Sequence, residues 1–205
     1  METLNTKLLE VGVSMRPLPG EAESGDHYVV KANQNGAVVA VIDGLGHGTE
    51  AADAAKLAVS TLVQYANETA ISLVRRCHAV LLGTRGVVMS LACFSSFDDT
   101  MTWVGVGNVE GLLLRADAQV TPGRESLLLR GGVIGGSLPG LRATVLPVSR
   151  RDTLVFVTDG LTNPFASDLN FDERPQVIAN RMMERYSKGT DDALVLVARY
   201  LGQTR

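Results

Sequence analysis

Two kinds of hydrophobic pattern follow one another along the chain, and each predicts a different element. Short apolar runs at 27–33 and 37–43 flank Gln34-Asn35-Gly36, and an Asn-Gly pair between strand-like runs is a strong hairpin signal. From Glu50 to Val63 the apolar positions recur at helical spacing instead. We therefore predict an antiparallel strand pair followed by a helix.

The rest of the chain contains two further helical patterns and a strand-rich block. One helix is predicted from about Glu68 to Leu82, with Gly83 as its C-cap, and another from about Asp172 to Lys188, with Pro175 in its first turn and Gly189 beyond its end. Strand-like runs occupy 87–95, 100–106, 108–115, 126–132, 143–148, 153–159 and 193–201.

This order of elements predicts an α+β fold. About eight or nine strands and three helices are expected, and the strands follow one another through hairpin-like turns instead of alternating with helices. Such an order favours two packed antiparallel β-sheets flanked by α-helices over a doubly wound parallel sheet. No linker, repeat or low-complexity tract interrupts residues 1–205, so a single domain is predicted.

Composition narrows the class of protein. Hydrophobic residues make up 45% and charged residues 20%, and the 19 basic and 22 acidic side chains give a net charge of −3. This balance offers no electrostatic reason to expect nucleic acid or an anionic membrane as a partner. There is no N-terminal signal pattern, no apolar run of about 20 residues and no disulfide framework, so a cytoplasmic protein is expected.

Acidic residues stand at the ends of several predicted strands. Asp43 ends an apolar run in VIDGL, and Asp159 has the same position in VTDGL. Asp26 comes just before the first predicted strand, and Asp191 and Asp192 come just before the last one. A strand end is a rigid mount, and a glycine after the carboxylate lets the backbone approach a ligand closely.

Two interpretations of these carboxylates stay open at this point. Converging carboxylates repel one another unless a cation lies between them, and hard oxygen ligands suit Mg²⁺ or Mn²⁺. No Cys/His spacing typical of zinc is present. Alternatively, each Asp-Gly pair is only a turn.

Other catalytic motifs fit poorly. A dinucleotide-binding G-x-G-x-x-G loop would need glycine where Thr49 stands, and an acidic residue about 20 positions later is missing. The sequence has neither a P-loop lysine motif nor a G-x-S-x-G elbow. A cysteine phosphatase would need a thiolate at a phosphate-binding turn, whereas Cys77 lies within a predicted helix and Cys93 within a predicted strand, which is typical of core residues.

Four motifs together resemble a known family. In chain order they are Ser24-Gly25-Asp26, Asp43-Gly44-Leu45-Gly46-His47-Gly48, Thr158-Asp159-Gly160-Leu161 and Asp191-Asp192-Ala193-Leu194. Their order resembles that of the metal-dependent serine/threonine protein phosphatases, the PPM family, and the D-G-x-G-H-G form resembles its bacterial SpoIIE-type branch. The segment 104–115 is similar to the family's central strand pair, so the resemblance covers essentially the whole chain.

The resemblance implies a fold, a cofactor and a reaction. The fold would be two antiparallel sheets between helical layers, the αββα sandwich of PPM phosphatases. Asp26, Asp43, Asp159 and Asp191 would hold two Mn²⁺ or Mg²⁺ ions, with the backbone carbonyl of Gly44 as a further ligand. Asp43 would bridge the ions, and metal-activated water would attack phosphorus without a phosphoenzyme intermediate.

Three residues depart from the pattern of the family or have an open role. His47 is a candidate catalytic proton donor to the leaving oxygen, but it does not directly follow Asp-Gly as in eukaryotic-type relatives; a metal-bound water could donate instead, leaving His47 as a loop residue. Asp192 stands where many relatives have asparagine, either as a supporting partner or as a ligand of an additional metal. Arg16 is too far before Asp26 to be assigned to phosphate binding.

The resemblance also implies substrates. By this resemblance, the substrates would be phosphoserine or phosphothreonine on STAS-domain scaffold proteins of the stressosome, in general stress signalling. A phosphorylated anti-sigma-factor antagonist is an alternative substrate, and a non-catalytic regulatory binding module on the same scaffold is an alternative function. We expect a monomer.

Overall fold

A computed structural model of the protein describes residues 6–162 and 173–202. Within them the helices are α1 (Thr49–Gln64), α2 (Ala70–Leu81) and α3 (Pro175–Tyr186). The strands are β1 (Leu9–Arg16), β2 (Asp26–Asn33), β3 (Gly36–Gly44), β4 (Val87–Ser95), β5 (Thr100–Val106), β6 (Glu110–Leu114), β7 (Arg124–Ser126), β8 (Leu129–Arg130), β9 (Thr144–Pro147), β10 (Thr153–Val157) and β11 (Ala193–Tyr200).

These strands form two sheets. The first sheet has the order β1-β11-β10-β6-β7, and the second has the order β2-β3-β4-β5-β8, with β9 also pairing with β5. The strand pairs are antiparallel apart from the short parallel pair of β5 and β8. The predicted fold class, two packed and mostly antiparallel sheets with flanking helices, is confirmed.

Strand β3 shows why the layers stack as they do. Its side chains alternate between the two faces of the sheet, and both faces are buried. Val39 and Val41 pack between the sheets together with Phe156 of β10, whereas Ile42 packs against the helices α1 and α2 on the other side. A third buried cluster joins the first sheet to α3, which completes four layers.

Helix α3 is fastened to the edge strand β1. A Cβ atom at Gly12 would lie 2.2 Å from the backbone nitrogen of Gln176, so only glycine lets the helix approach the strand this closely. The side-chain amide of Gln176 accepts the N–H of Val13 and donates to its carbonyl. These bonds satisfy backbone groups that an edge strand otherwise leaves unpaired.

The structure corrects three predictions about the elements. Strand β1 was not predicted, although Leu9, Val11 and Val13 alternate, and it pairs with β11 from the other end of the chain. The run 126–132 was predicted as one strand but divides between β7 and β8, which belong to different sheets. The chain crosses between the sheets at Leu127, whose side chain is buried between them.

The strands were also predicted to follow one another through hairpin-like turns. Not all sheet neighbours are consecutive in sequence, since β10 lies between β6 and β11.

The helix predicted from Asp172 begins at Pro175 within the described part of the chain, and Asp172 itself lies outside it. The described helices include none that is both long and apolar enough to cross a membrane.

Candidate metal centre

The predicted acidic strand ends meet at one end of the two sheets. Asp26 begins β2 and pairs directly with Asp43 at the end of β3. Asp159 comes after β10, and Asp191 comes just before β11, the antiparallel neighbour of β10. Packing of the sheets therefore brings together residues that are far apart in sequence.

A cavity of about 340 Å³ lies between these strand ends. Asp43, Asp159 and Asp191 line it, as does His47. The remaining lining residues are Leu18, Leu45, Gly46, Val88, Asn108 and Thr190. Asp26 is buried next to Asp43, with 1% of its surface exposed. A larger cavity, about 450 Å³, lies around the β2–β3 turn at the opposite end of these strands and is lined by none of the four carboxylates.

The glycine of each Asp-Gly pair has a steric role. A Cβ atom at Gly44 would lie 2.2 Å from the carbonyl oxygen of Ala51, and one at Gly160 would lie 1.9 Å from the carbonyl oxygen of Asp192. Glycine therefore lets the backbone of a neighbouring segment pass directly beside each aspartate. The Gly44 N–H donates to the carbonyl of Gly25 across 3.1 Å.

Burial and mutual repulsion make these carboxylates hard to ionise. Burial, followed by the charges of Asp159 and Asp191, raises the pKa of Asp43 to about 7. Burial and the Asp43 charge also raise the pKa of Asp26 well above its ordinary value. Burial and Asp191 raise the pKa of Asp159, although Lys188 and Asn108 oppose that shift. A cation among these groups would relieve the repulsion.

Three polar residues whose roles were not predicted from the sequence support the predicted carboxylates. The Thr158 hydroxyl donates to the Asp26 carboxylate, and the Asn108 side-chain amide donates to the Asp159 carboxylate, each across 2.7 Å. Lys188 Nζ donates to the Asp159 carbonyl across 2.5 Å. Thr158 could have been found as a polar residue directly after a buried strand, and Asn108 as one that follows a buried strand after a single glycine. No sequence pattern indicates Lys188.

Asp192 holds the loop between β1 and β2. Its two carboxylate oxygens accept the N–H groups of Leu18 and Gly25, each across 2.8 Å, and the residue is buried. Asp191 by contrast lines the cavity. These contacts favour the supporting role predicted for Asp192 over the role of a metal ligand.

His47 lies on a short glycine-flanked loop at the mouth of the cavity. Gly46 and Gly48 have φ angles of 87° and 79°, in the left-handed region that favours glycine. The His47 Nδ1 atom is 2.9 Å from a carboxylate oxygen of Glu21, so the ring has a carboxylate partner, and His47 also lines the cavity.

Comparison with known proteins identifies the family. Residues 33–201 match the family of stage II sporulation protein E, SpoIIE. The chain belongs to the SpoIIE family. It is 26% identical over 187 residues to the phosphoserine phosphatase RsbX of Bacillus subtilis strain 168, a match that covers 90% of this chain and 89% of that protein.

Solved structures agree with this assignment. One match has a TM-score of 0.85 and 30% identity, over 93% of this chain and 99% of that chain. That structure comes from work on the bacterial stressosome as a modular system adapted to control secondary messenger signaling. A crystal structure of RsbX in complex with magnesium matches with a TM-score of 0.84 and 21% identity, over 96% of this chain and 97% of that chain. The predicted family is confirmed, and with it the enzyme class, the protein serine/threonine phosphatases.

The donor set of this SpoIIE-family chain fits a hard divalent cation. The candidate ligands are carboxylate oxygens, which Mg²⁺ and Mn²⁺ prefer, and burial together with their mutual repulsion raises the pKa of Asp26, Asp43 and Asp159. Among residues 6–162 and 173–202 no three Asp, Glu, His or Cys side chains form a group that could hold an ion as they stand.

The structure gives no support to a cysteine nucleophile. Cys77 lies in α2 and Cys93 in β4, and neither is at the cavity. Burial raises the pKa of both thiols to about 12, so neither provides a thiolate near neutral pH. Cys77 is a core residue, as predicted, whereas Cys93 is only partly buried and packs against the same cluster.

Proposed function

We propose that this chain is a Mn²⁺- or Mg²⁺-dependent phosphatase that removes phosphate from phosphoserine or phosphothreonine of a protein substrate. The observation that carries the proposal is the common cavity lined by Asp43, Asp159 and Asp191 in a SpoIIE-family chain. Further support comes from the relative named phosphoserine phosphatase RsbX and from the similar RsbX structure that contains magnesium.

Two ions would be held by the carboxylates of Asp26, Asp43, Asp159 and Asp191 together with the backbone carbonyl of Gly44. Bound divalent ions would supply a water molecule of lowered pKa and would neutralise charge on the phosphoryl group.

The chain's own residues orient the ligands and supply a proton. Thr158 fixes the carboxylate of buried Asp26, and Asn108 fixes that of Asp159; such supporting hydrogen bonds orient metal ligands. In the reaction, phosphorus gains the oxygen of water, and the bond between phosphorus and the seryl or threonyl oxygen breaks. We assign His47, which faces the cavity, as the donor of the proton that the departing oxygen takes up.

The proposed substrate is a phosphorylated STAS-domain protein of a stressosome. Its support is the similarity to RsbX and to a structure from work on the bacterial stressosome. A monomeric enzyme in the cytoplasm, acting as a single domain, completes the proposal.

The test is phosphate release from a phosphorylated STAS-domain protein in the presence of Mn²⁺ or Mg²⁺. We expect turnover by the wild type, none in excess chelator, and a loss of at least about 10²-fold in Asp43→Asn and Asp159→Asn. Asp53→Asn, which removes an exposed carboxylate of α1, serves as the matched control and retains activity. Full activity in Asp43→Asn or in chelator contradicts the proposal. Binding of the phosphoprotein without any metal-dependent turnover favours a non-catalytic binding module.

A further inference from the structure

We infer that Glu21 is a positioning residue that holds His47 in the orientation needed to protonate the leaving oxygen of the substrate. The inference deepens the proposed phosphatase function and rests on it. The inference is based on the contact of 2.9 Å between the His47 Nδ1 atom and the Glu21 carboxylate, beside a cavity that His47 lines.

The loop that carries His47 is held from both sides. The Leu45 N–H donates to the carbonyl of Gly86, and the Gly48 carbonyl accepts the N–H of Ala52 in α1. Beside the loop lies Arg85, whose guanidinium nitrogen would be 2.7 Å from a Cβ atom at Gly46. These two hydrogen bonds tie the backbone on either side of His47 to α1 and to the loop before β4.

Arg85 is in turn paired with Glu50 of α1 across 2.5 Å. The guanidinium therefore already has a carboxylate partner, and the Glu21 carboxylate is left to His47.

Glu21 is itself anchored to the candidate metal centre. Its N–H donates to the carbonyl of Leu18, and the N–H of Leu18 donates to the buried carboxylate of Asp192, next to Asp191. Its carboxylate also lies 3.5 Å from where a Cβ atom at Gly48 would be. The partner of His47 is thus tied to the same strand end that supplies a candidate metal ligand.

This contact selects the useful nitrogen of His47. When Nδ1–H donates to the carboxylate of Glu21, the other ring nitrogen, Nε2, is left to face the substrate. With Nδ1 held by Glu21, Nε2 is the ring nitrogen that can give a proton to the leaving oxygen.

The proton balance of the step is simple. As the bond from phosphorus to the seryl oxygen breaks, the proton on Nε2 passes to that oxygen and leaves a neutral imidazole. Solvent then returns a proton to the ring, while the water that attacks phosphorus releases its own proton to solvent.

Several other charges lie around the loop that carries His47. Glu50 of α1 and Arg85 of the α2–β4 loop form an ion pair beside the loop, and the carboxylates of Asp43, Asp159 and Asp191 line the same cavity. These groups remain in place when Glu21 is changed, so a change caused by Glu21→Gln reports the contact between Glu21 and His47.

The experiment compares two substrates with different leaving groups. A phosphoserine protein has a basic leaving oxygen that needs a proton, whereas p-nitrophenyl phosphate releases a phenolate stable enough to leave without one. For Glu21→Gln we expect kcat on the phosphoserine protein to fall roughly 10–100-fold and kcat on p-nitrophenyl phosphate to change less than about twofold.

Three further variants complete the design. Glu23→Gln removes a carboxylate of the same loop that is paired with Lys56 instead, and it should leave both activities unchanged. Glu21→Asp keeps the charge and should recover part of the lost rate. In a His47→Gln background, Glu21→Gln should cause no additional loss, since the two residues act as one unit.

An equal loss on both substrates, no loss on either, or a full additional loss in the His47→Gln background would overturn the role of Glu21. A wild-type protein without metal-dependent release from either substrate would instead overturn the proposed function, and this inference with it. The contact between Glu21 and His47 is exposed, so the urea unfolding midpoint of Glu21→Gln should match that of Glu23→Gln. A lower midpoint for Glu21→Gln would assign Glu21 a structural role.

Discussion

The Thr158 hydroxyl and the Asp26 carboxylate form a hydrogen bond of 2.7 Å between residues that are 132 positions apart. Thr158 follows β10 in the first sheet, and Asp26 begins β2 in the second. The same hydroxyl accepts the N–H of Leu194 across 2.8 Å. One side chain thus joins the two sheets at the point where the candidate metal ligands meet.

Replacing Thr158 by valine should weaken both the fold and metal binding. The change keeps the shape but leaves the buried carboxylate of Asp26 without this donor, at a cost of about 1–3 kcal/mol in the free energy of unfolding. Loss of a hydrogen bond that orients a ligand should lower metal affinity about 10-fold or more. Urea unfolding and calorimetric titration with Mg²⁺ measure the two effects, and Thr158→Ser, which keeps the hydroxyl, is the control. If Thr158→Val binds Mg²⁺ with wild-type affinity, the hydrogen bond between Thr158 and Asp26 does not contribute to metal binding.

The stability of the metal-free protein should fall as the pH rises. The pKa of Asp43 is raised from 3.8 to about 7 in the fold, so between these values the folded form holds a proton that the unfolded form has lost. The resulting stabilisation is fully present below about pH 4 and is lost as the pH rises through about 7. Urea unfolding in excess chelator across this range measures the decline.

Asp43→Asn tests the origin of that decline. An uncharged amide does not repel Asp159 or Asp191, so in chelator near pH 8 the variant should be more stable than the wild type while lacking phosphatase activity. Asp53→Asn, at an exposed position on α1, should keep the wild-type dependence on pH. An unchanged slope in Asp43→Asn would show that other groups cause the decline.

Gly44→Ala should disturb the junction between β3 and α1. The added Cβ atom would meet the carbonyl oxygen of Ala51 at 2.2 Å, which forces the helix away from the strand end, and overpacking of this kind costs on the order of 3 kcal/mol. Gly131→Ala is a suitable control, because no atom lies within 4 Å of its added Cβ atom. Thermal unfolding of both variants tests the expectation, and equal midpoints would contradict it.

Much of the fold was predictable because the hydrophobic pattern and the burial agree. The run that became β3 is apolar at consecutive positions because it is covered by the other sheet on one face and by α1 and α2 on the other. The hairpin of β2 and β3 followed from Asn35-Gly36. Strand β1 was missed because no turn signal pairs it with a neighbour in sequence; its partner, β11, is at the far end of the chain.

The candidate site was predictable only in part. Asp43 and Asp159 were found because a carboxylate after a buried strand, followed by glycine, has a local signature. The contacts of Glu21 and Lys188 have no such signature, since each depends on how two distant loops meet. The inward orientation of Asp26 likewise depends on Thr158 of the other sheet, which a pattern of adjacent residues does not encode.

Thiol chemistry offers a test of the excluded cysteine mechanism. Burial raises the pKa of Cys77 and Cys93 to about 12, so both should stay protonated and unreactive near pH 8. We expect iodoacetamide to leave phosphate release unchanged and mass spectrometry to find both thiols unmodified in the folded protein. In urea both should react, which confirms that burial protects them. Loss of activity on modification of either thiol would instead support a cysteine mechanism.

Asn108→Leu should weaken metal binding without preventing catalysis at saturating metal. The Asn108 amide donates to the Asp159 carboxylate and helps to keep its pKa from rising further. Leucine has a similar size but cannot donate, so the carboxylate loses a group that orients it and favours its ionised form. We expect the Mg²⁺ concentration for half-maximal activity to rise roughly 10-fold, with the rate largely restored at high Mg²⁺. A rate that stays low at every Mg²⁺ concentration would instead assign Asn108 a direct role with the substrate, and an unchanged Mg²⁺ requirement would show that its hydrogen bond to Asp159 is incidental.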